Sequence, residues 1–201
     1  MGAFAPAALD RGTLAWIERE VADKTLAGMA AEGTPFKGLL YVGLMLGPDG
    51  PRVLEFNARF GDPETQALLP LVTSDLGVLL AECAKGELRS PLECASGGAV
   101  AVVVAAPGYP EQPRTGDAIG GLSDWPNPET ENAEGLWCFH AGTRLEDGKL
   151  VSAGGRVLTV VALRMNVVTA RRAAYEGLAR VKLEGGQARR DIALVRTPAI
   201  R

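Results

Sequence analysis

The chain has 201 residues, 47% of them apolar, and a formal net charge of -3. That is enough apolar material for one large domain or two small ones, and it argues against a disordered chain. No apolar run approaches a membrane span, and Met1 to Pro6 lacks the basic start and apolar core of a signal peptide, so a cytoplasmic protein without a membrane partner is expected. Cys83, Cys94 and Cys138 are too widely spaced for a metal-binding pair and too few for a disulfide framework, and they are expected to be reduced. His140 is the single histidine, which excludes a multi-histidine zinc site and leaves a Ser-His-Asp hydrolase only one place to be built.

In chain order, Met1 to Pro6 reads as a loop. Asp10 to Ala31 carries Leu14, Ile17, Val21 and Met29 at helical spacing, with Asp10 able to cap the start and Gly33-Thr34-Pro35 ending it. Gly38 to Leu46 is a nearly continuous apolar run that predicts a buried strand, Gly47-Pro48-Asp49-Gly50 predicts a tight turn, and Arg52 to Asn57 predicts the returning strand. Thr65 to Val72 reads as helical. A further helix carries Leu76, Leu79, Leu80 and Cys83, with Ser74 as its cap and Gly86 at its end. Glu87 to Gly98, with Ser90-Pro91, is the expected boundary between two domains, 1–89 and 90–201.

Beyond it, Ala99 to Ala106 predicts a second buried strand, and Pro107-Gly108-Tyr109-Pro110 breaks it. The stretch around Trp125-Pro126-Asn127-Pro128 reads as a surface loop. Strands are expected at Leu136 to Ala141 and Arg156 to Met165, with a turn at Glu146-Asp147-Gly148-Lys149 between shorter pieces, and Thr169 is a candidate cap for a last helix reaching about Leu183. The C-terminal end is basic, with Arg171, Arg172, Arg180, Lys182, Arg189, Arg190, Arg196 and Arg201. Little aromatic interleaving accompanies them, so a solvated face is expected and no nucleic-acid partner.

The chemistry concentrates between Leu54 and Thr65, in Leu-Glu-Phe-Asn-Ala-Arg-Phe-Gly-Asp-Pro-Glu-Thr. A strand turns alternate side chains to opposite sides, so Leu54 and Phe56 can enter a core while Glu55 and Asn57 point together. A carboxylate beside an amide oxygen suits a hard cation that takes its remaining ligands from water and phosphates. If the extended chain persists, Arg59 lies on the same side and can grip a phosphate or carboxylate with two parallel hydrogen bonds. Asp62, Pro63 and Glu64 suit a helix start. The competing reading is a half-exposed sheet edge followed by an ordinary helix start.

The string Glu55-Phe56-Asn57-Ala58-Arg59-Phe60-Gly61-Asp62-Pro63-Glu64-Thr65-Gln66 resembles the metal-site signature of the phosphoribosylamine-glycine ligase (glycinamide ribonucleotide synthetase) family of ATP-grasp enzymes. Met1 to Pro6 resembles the interior of that family's Gly-Gly-Met-Gly-Ala-Tyr/Phe-Ser-Pro motif. The second part resembles its small C-terminal domain through Phe139-His140-Ala141-Gly142-Thr143, Gly154-Gly155-Arg156-Val157-Leu158, Ala173-Ala174-Tyr175 and Arg190-Asp191-Ile192. Two departures stand out. Arg164-Met165-Asn166 replaces the usual Gly-Asp-Thr, and Ala193 follows Asp191-Ile192 where the family has glycine, which matters if that backbone needs positive φ.

The resemblance implies an α+β architecture, the C-terminal half of an ATP-grasp domain followed by a small β-rich domain, with the phosphoribosylamine-binding N-terminal domain and the first ATP-grasp half lying outside this chain. It implies a ligase that joins glycine to 5-phosphoribosylamine with ATP as co-substrate and Mg2+ or Mn2+ as cofactor, the chain alone being inactive and paired with a separate chain that carries the upstream half. The alternative is a non-catalytic remnant or interaction module. A different ATP-grasp carboxylase is disfavoured by the Arg59-to-Gln66 extension.

By the same resemblance Glu55 and Asn57 are metal ligands, and Arg59 is a catalytic and substrate-binding clamp. Asp62 has two readings, a catalytic one in which it holds the glycine amine or orients Arg59, and a helix cap. Gly154, Gly155 and Arg156 can bind a substrate phosphate through backbone N–H groups and a cation, or form a plain surface turn. His140 is a satisfied histidine or a general base.

Overall fold

The computed structural model describes residues 1–123, 125–126 and 135–194. The loop expected at Asn127 and Pro128, and Arg196 and Arg201 of the basic tail, lie outside them. The elements in order are β1 (Gly2–Ala5), α1 (Arg11–Ile17), a π-helical stretch (Glu18–Asp23), α2 (Lys24–Ala31), β2 (Tyr41–Gly47), β3 (Gly50–Asn57) and α3 (Glu64–Leu68). A 3-10 turn (Leu69–Leu71), α4 (Leu76–Lys85), β4 (Gly98–Ala105), β5 (Ile119–Gly120) and β6 (Leu136–His140) follow. The chain closes with β7 (Thr143–Glu146), β8 (Lys149–Ser152), β9 (Arg156–Arg164), α5 (Val167–Leu178) and β10 (Lys182–Leu183). Helix and strand are mixed in the α+β manner expected, and among the described residues no helix is long and apolar enough to cross a membrane.

The chain divides into two compact units that cut across the expected boundary at residue 89: Met1–Pro6, Asp62–Leu71 and Ala95–Arg201 form one, and Ala7–Gly61 with Val72–Cys94 the other. The reason is visible in the first unit. Its sheet runs β1-β4-β9-β6. Met1 to Pro6 is thus no loop: Gly2 to Ala5 pairs antiparallel with β4, Gly2 opposite Val102 and Ala5 opposite Ala99.

β4 is buried along its whole length because both faces of the sheet are covered. Val100 and Val102 pack with Val160, Ala162 and Leu136 against Ala170, Ala173 and Ala174 of α5. The alternate residues Ala101 and Val161 meet Ala67 of α3, and Ala99 meets Ala5 and Leu71. Period-two alternation therefore places Val100 and Val102 of β4 under α5 and Ala101 under α3, and each buried valine contributes about 1.5–3 kcal/mol.

Helix α5 begins at Asn166 rather than Thr169: the Asn166 side chain accepts the Thr169 N–H at 2.9 Å. It ends at Leu178, short of Leu183, and the chain turns into β10. The unusual Arg164-Met165-Asn166 segment is thereby accounted for at both ends, because Arg164 also donates to the Gly135 and Leu163 carbonyls. Arg171 is more than a solvated residue. It donates to the Ile192 and Arg190 carbonyls and stacks on Tyr175 at 4.7 Å, and the Tyr175 hydroxyl donates to Arg189 O and accepts from Ile192 N. Ala193 has φ 55, the left-handed conformation its glycine counterpart would adopt freely. The cost of about 1 kcal/mol is offset by its methyl group, buried in the α5 cluster and contributing about 0.8 kcal/mol. The β7-β8 turn at Asp147 and Gly148 has φ 49 and 75, as a two-residue hairpin loop of this hand requires.

In the second unit, Asp10 caps α1 as expected, accepting the Thr13 N–H at 2.9 Å. Asp75 rather than Ser74 caps α4. Ser74 instead joins the returning chain, donating to Pro91 O and accepting from Glu93 N. Gly86 closes α4 in the left-handed conformation, φ 73.

The Glu82 carboxylate accepts from Arg89 N, Ser90 N and Ser90 Oγ, and these bonds hold its pKa below the ordinary 4.5. A depressed carboxylate stabilises the fold above its unfolded value and loses that contribution as pH falls through the folded one. Hydrogen-exchange protection of the Arg89 and Ser90 amides should accordingly be lost below pH 4.5, and should already be reduced in Glu82→Gln at neutral pH.

Candidate functional site

In the second unit the hairpin of β2 and β3 turns through Pro48 and Asp49, as the sequence predicts. Its register places Tyr41 opposite Asn57, Val42 opposite Phe56 and Gly43 opposite Glu55, then slips so that Leu44 faces Val53. Leu54 is the extra residue of a bulge immediately before Glu55. Bulges of this kind re-aim the side chains that follow.

Past it, Glu55 and Asn57 share a face and touch, Asn57 Nδ2 donating to Glu55 Oε1 at 3.1 Å. Gly43 is part of this arrangement and was not legible as such: a Cβ there would lie 3.0 Å from Glu55 Cγ and 3.6 Å from the Tyr41 ring. The missing side chain gives Glu55 room to lie across β2. The opposite face departs from expectation, since Leu54 is 63% and Phe56 46% exposed, and Leu46 and Val53 are also exposed in large part. Nor is β2 a buried strand. Among the described residues each strand of the pair has only the other as a hydrogen-bonded neighbour, and the buried clusters belong to the first unit.

Glu55 and Asn57 supply a carboxylate and an amide oxygen, both hard donors. Among the described residues no three His, Cys, Asp or Glu side chains converge on a metal position. The pair therefore fits a hard cation whose other ligands are water or phosphate oxygens, and does not fit a zinc cage.

Arg59 is not carried on the same strand face, because β3 ends at Asn57 and a bend follows. Its guanidinium is exposed and donates from Nη1 to Phe60 O at 2.9 Å.

The remaining candidates belong to the first unit. Helix α3 starts at Glu64, with Pro63 in the capping position and no side-chain cap, so Asp62 is not a helix cap. Asp62 Oδ1 accepts from Gln66 Nε2 at 2.9 Å, while Oδ2 pairs with Arg156 Nη2 at 3.2 Å and the Asp62 carbonyl accepts from Arg156 Nη1 at 2.9 Å. Arg156 Nη1 also approaches Met1 Sδ, which accepts from the Tyr109 hydroxyl at 4.0 Å.

The preceding loop is held from below. Ala106 N donates to Gly155 O, Gly142 N donates to Arg156 O, and a Cβ on Gly155 would meet the Tyr109 ring at 2.6 Å. The Gly154 and Gly155 N–H groups themselves donate no hydrogen bond among the described residues. Gln66 and Tyr109 are neighbours the sequence did not single out, although Gln66, four residues after Asp62 and inside the signature, offered a signal.

His140, at the exposed end of β6, places Nδ1 3.0 Å from Thr143 Oγ1, a satisfied surface histidine. The cysteines are free, and burial pushes the Cys138 thiol up to about 11, far from a nucleophile's range.

Residues 1–65 match the family model described as "Phosphoribosylglycinamide synthetase, ATP-grasp (A) domain", and residues 99–195 the one described as "Phosphoribosylglycinamide synthetase, C domain". Phosphoribosylamine–glycine ligase of Caulobacter vibrioides is 45% identical over 198 residues, which are 96% of this chain and 44% of that protein. The trifunctional purine biosynthetic protein adenosine-3 of Gallus gallus is 46% identical over 195 residues, 96% of this chain and 19% of that protein. The crystal structure of phosphoribosylamine–glycine ligase from Thermotoga maritima superposes with a TM-score of 0.80 at 40% identity, covering 95% of this chain and 46% of that one. N5-carboxyaminoimidazole ribonucleotide synthetase of the same organism, at 18% identity and a TM-score of 0.59, shares the fold alone. The chain spans less than half the length of each relative named here, and it belongs to the phosphoribosylglycinamide synthetase family.

Proposed function

We propose that this chain carries the metal-binding end of an ATP-dependent ligase that joins glycine to 5-phosphoribosylamine, its first part being the C-terminal half of an ATP-grasp domain. The observation that carries this reading is the contact of Glu55 and Asn57 within the matched strand-loop-helix string. A divalent cation, Mg2+ or Mn2+, held by those two side chains supplies neutralisation of phosphate charge when ATP is bound.

In the reaction, a glycine carboxylate oxygen attacks the γ-phosphorus and ADP leaves. The sugar amine then attacks the resulting acyl carbon, inorganic phosphate leaves, and the amine gives up a proton. Arg59 is exposed and its planar fork suits the transferred phosphoryl group or the glycine carboxylate. Arg156, with the Gly154 and Gly155 N–H groups, suits the sugar phosphate. The portion of the relatives that this chain does not span, present on a separate chain or elsewhere, would contribute the rest of the ATP site. The exposed apolar side chains Leu54, Phe56, Met45 and Leu46 support such a contact.

The test is phosphate release from ATP in the presence of glycine and phosphoribosylamine, by the chain alone and mixed with the N-terminal portion of a related ligase. Activity in the mixture alone is the expected result. No activity in either, from a folded chain that demonstrably associates with the added portion, would leave the non-catalytic remnant as the reading.

A further inference from the structure

Asp62 does not cap α3, whose capping position Pro63 takes. Its carboxylate is instead the middle of a chain of contacts within one unit. Gln66 Nε2 fixes Oδ1, Oδ2 takes Arg156 Nη2, and the Asp62 carbonyl takes Arg156 Nη1. Two nitrogens of the guanidinium are thus bound to one residue, one through its side chain and one through its backbone. That defines the plane of the fork, while the Arg156 Nε–H donates no hydrogen bond among the described residues.

We propose that Asp62 is a positioning residue, which with Gln66 fixes the guanidinium plane of Arg156 so that Arg156 Nε–H and the unengaged Gly154 and Gly155 N–H groups receive a phosphate monoester.

Three observations bear on this. The Arg156–Asp62 pair is 37% and 41% exposed, and an exposed ion pair of that kind adds little to stability, so fold maintenance is a weak account of it. The guanidinium is nevertheless attached at two points, which a purely electrostatic contact does not require. Finally, Gln66 Oε1 is buried without a partner. The amide is held in a position that satisfies Asp62 at the expense of its own oxygen, whereas a residue chosen for packing alone would carry no such oxygen.

The inference rests on the assignment of Arg156 and Gly154-Gly155 to a substrate anion, and the sign of one measurement separates the two. Removing the Asp62 charge favours an arriving anion electrostatically, whereas removing its hold on Arg156 disfavours it. Inorganic phosphate titrated into the full chain, followed by the NMR signals of Arg156 Nε–H and the Gly154 and Gly155 amides, reports which effect wins. Saturable shifts at all three are expected, with binding weakened about 5- to 10-fold in Asp62→Asn and lost in Arg156→Lys, which keeps the charge but not the fork. Gln66→Leu retains the Asp62 charge and is expected to weaken binding about 2- to 3-fold while keeping the fold, so it decides the matter if Asp62→Asn does not fold.

Equal or tighter phosphate binding in a folded Asp62→Asn, undiminished binding in Gln66→Leu, or unchanged binding in Arg156→Lys would overturn the positioning role. Absence of any saturable shift in the unaltered chain would overturn the anion site itself, and the inference with it.

Discussion

Glu55→Ala is expected to lower kcat/KM about 10²- to 10³-fold when this chain is completed by the N-terminal portion of a related ligase, the range seen when one preorganised charge-stabilising group is removed. The argument starts from the donor count. Two protein oxygens from one strand are a small set for a hard cation, so losing the carboxylate leaves only the neutral Asn57 amide, and binding weakens sharply. Asn57→Ala removes a neutral donor and should cost less. A readout independent of turnover is the electron paramagnetic resonance signal of Mn2+ added to the chain: the bound fraction should fall in Glu55→Ala and stay unchanged in Glu64→Ala, a first-turn residue of α3 outside the proposed donor pair. Equal Mn2+ binding in the two variants would remove Glu55 from the metal site. Gly43→Ala tests the same geometry from the opposite strand, because its Cβ would press on Glu55 Cγ at 3.0 Å, tighter than an ordinary contact.

What could be read in the sequence was what depends on neighbours along the chain. Glu55 and Asn57 share a face because a strand has period two, and the Pro48-Asp49 turn, the Asp10 cap and the Gly86 stop are likewise local. Asp62 shows the limit. Its helix-start context is genuine, but Pro63 takes the capping position, and the carboxylate is claimed by Arg156, 94 residues away, which no local pattern encodes. Arg59 leaves the shared strand face for a related reason: the alternation that aligns Glu55 with Asn57 stops where β3 ends. The cap of α5 was misplaced by three residues because Asn166 and Thr169 are both good cap formers and bond to one another. The compact units cut across residue 89 because β1 and α3 pack on the sheet of the C-terminal part, and edge pairing by four residues leaves almost no signature in sequence. Burial was legible in β4 and illegible in β2, although both are apolar runs, because burial depends on what covers a strand.

That contrast leads to a second large effect. Leu158→Ala is expected to destabilise the chain by about 3 kcal/mol, the middle of the range for a leucine lost from a packed core, whereas Leu54→Ala is expected to change stability by less than about 0.5 kcal/mol. Leu158 is 0% exposed and packs with Val104, Ala106, Ile119 and Val157, while Leu54 is 63% exposed on the hairpin. The same atoms are removed in both, so the difference isolates the environment. Urea unfolding followed by tryptophan fluorescence measures it, and the tryptophans are usefully placed: Trp125 and Trp137 belong to the unit containing Leu158, and Trp16 to the unit containing Leu54. Separate transitions for the two sets would show that the units unfold independently, in which case Leu158→Ala should shift only the Trp125 and Trp137 transition. A Leu54→Ala cost approaching that of Leu158→Ala would mean that the hairpin's apolar face is covered in solution. Dependence of that cost on protein concentration would then identify the cover as a second copy of the chain, because only an intermolecular contact makes stability follow concentration.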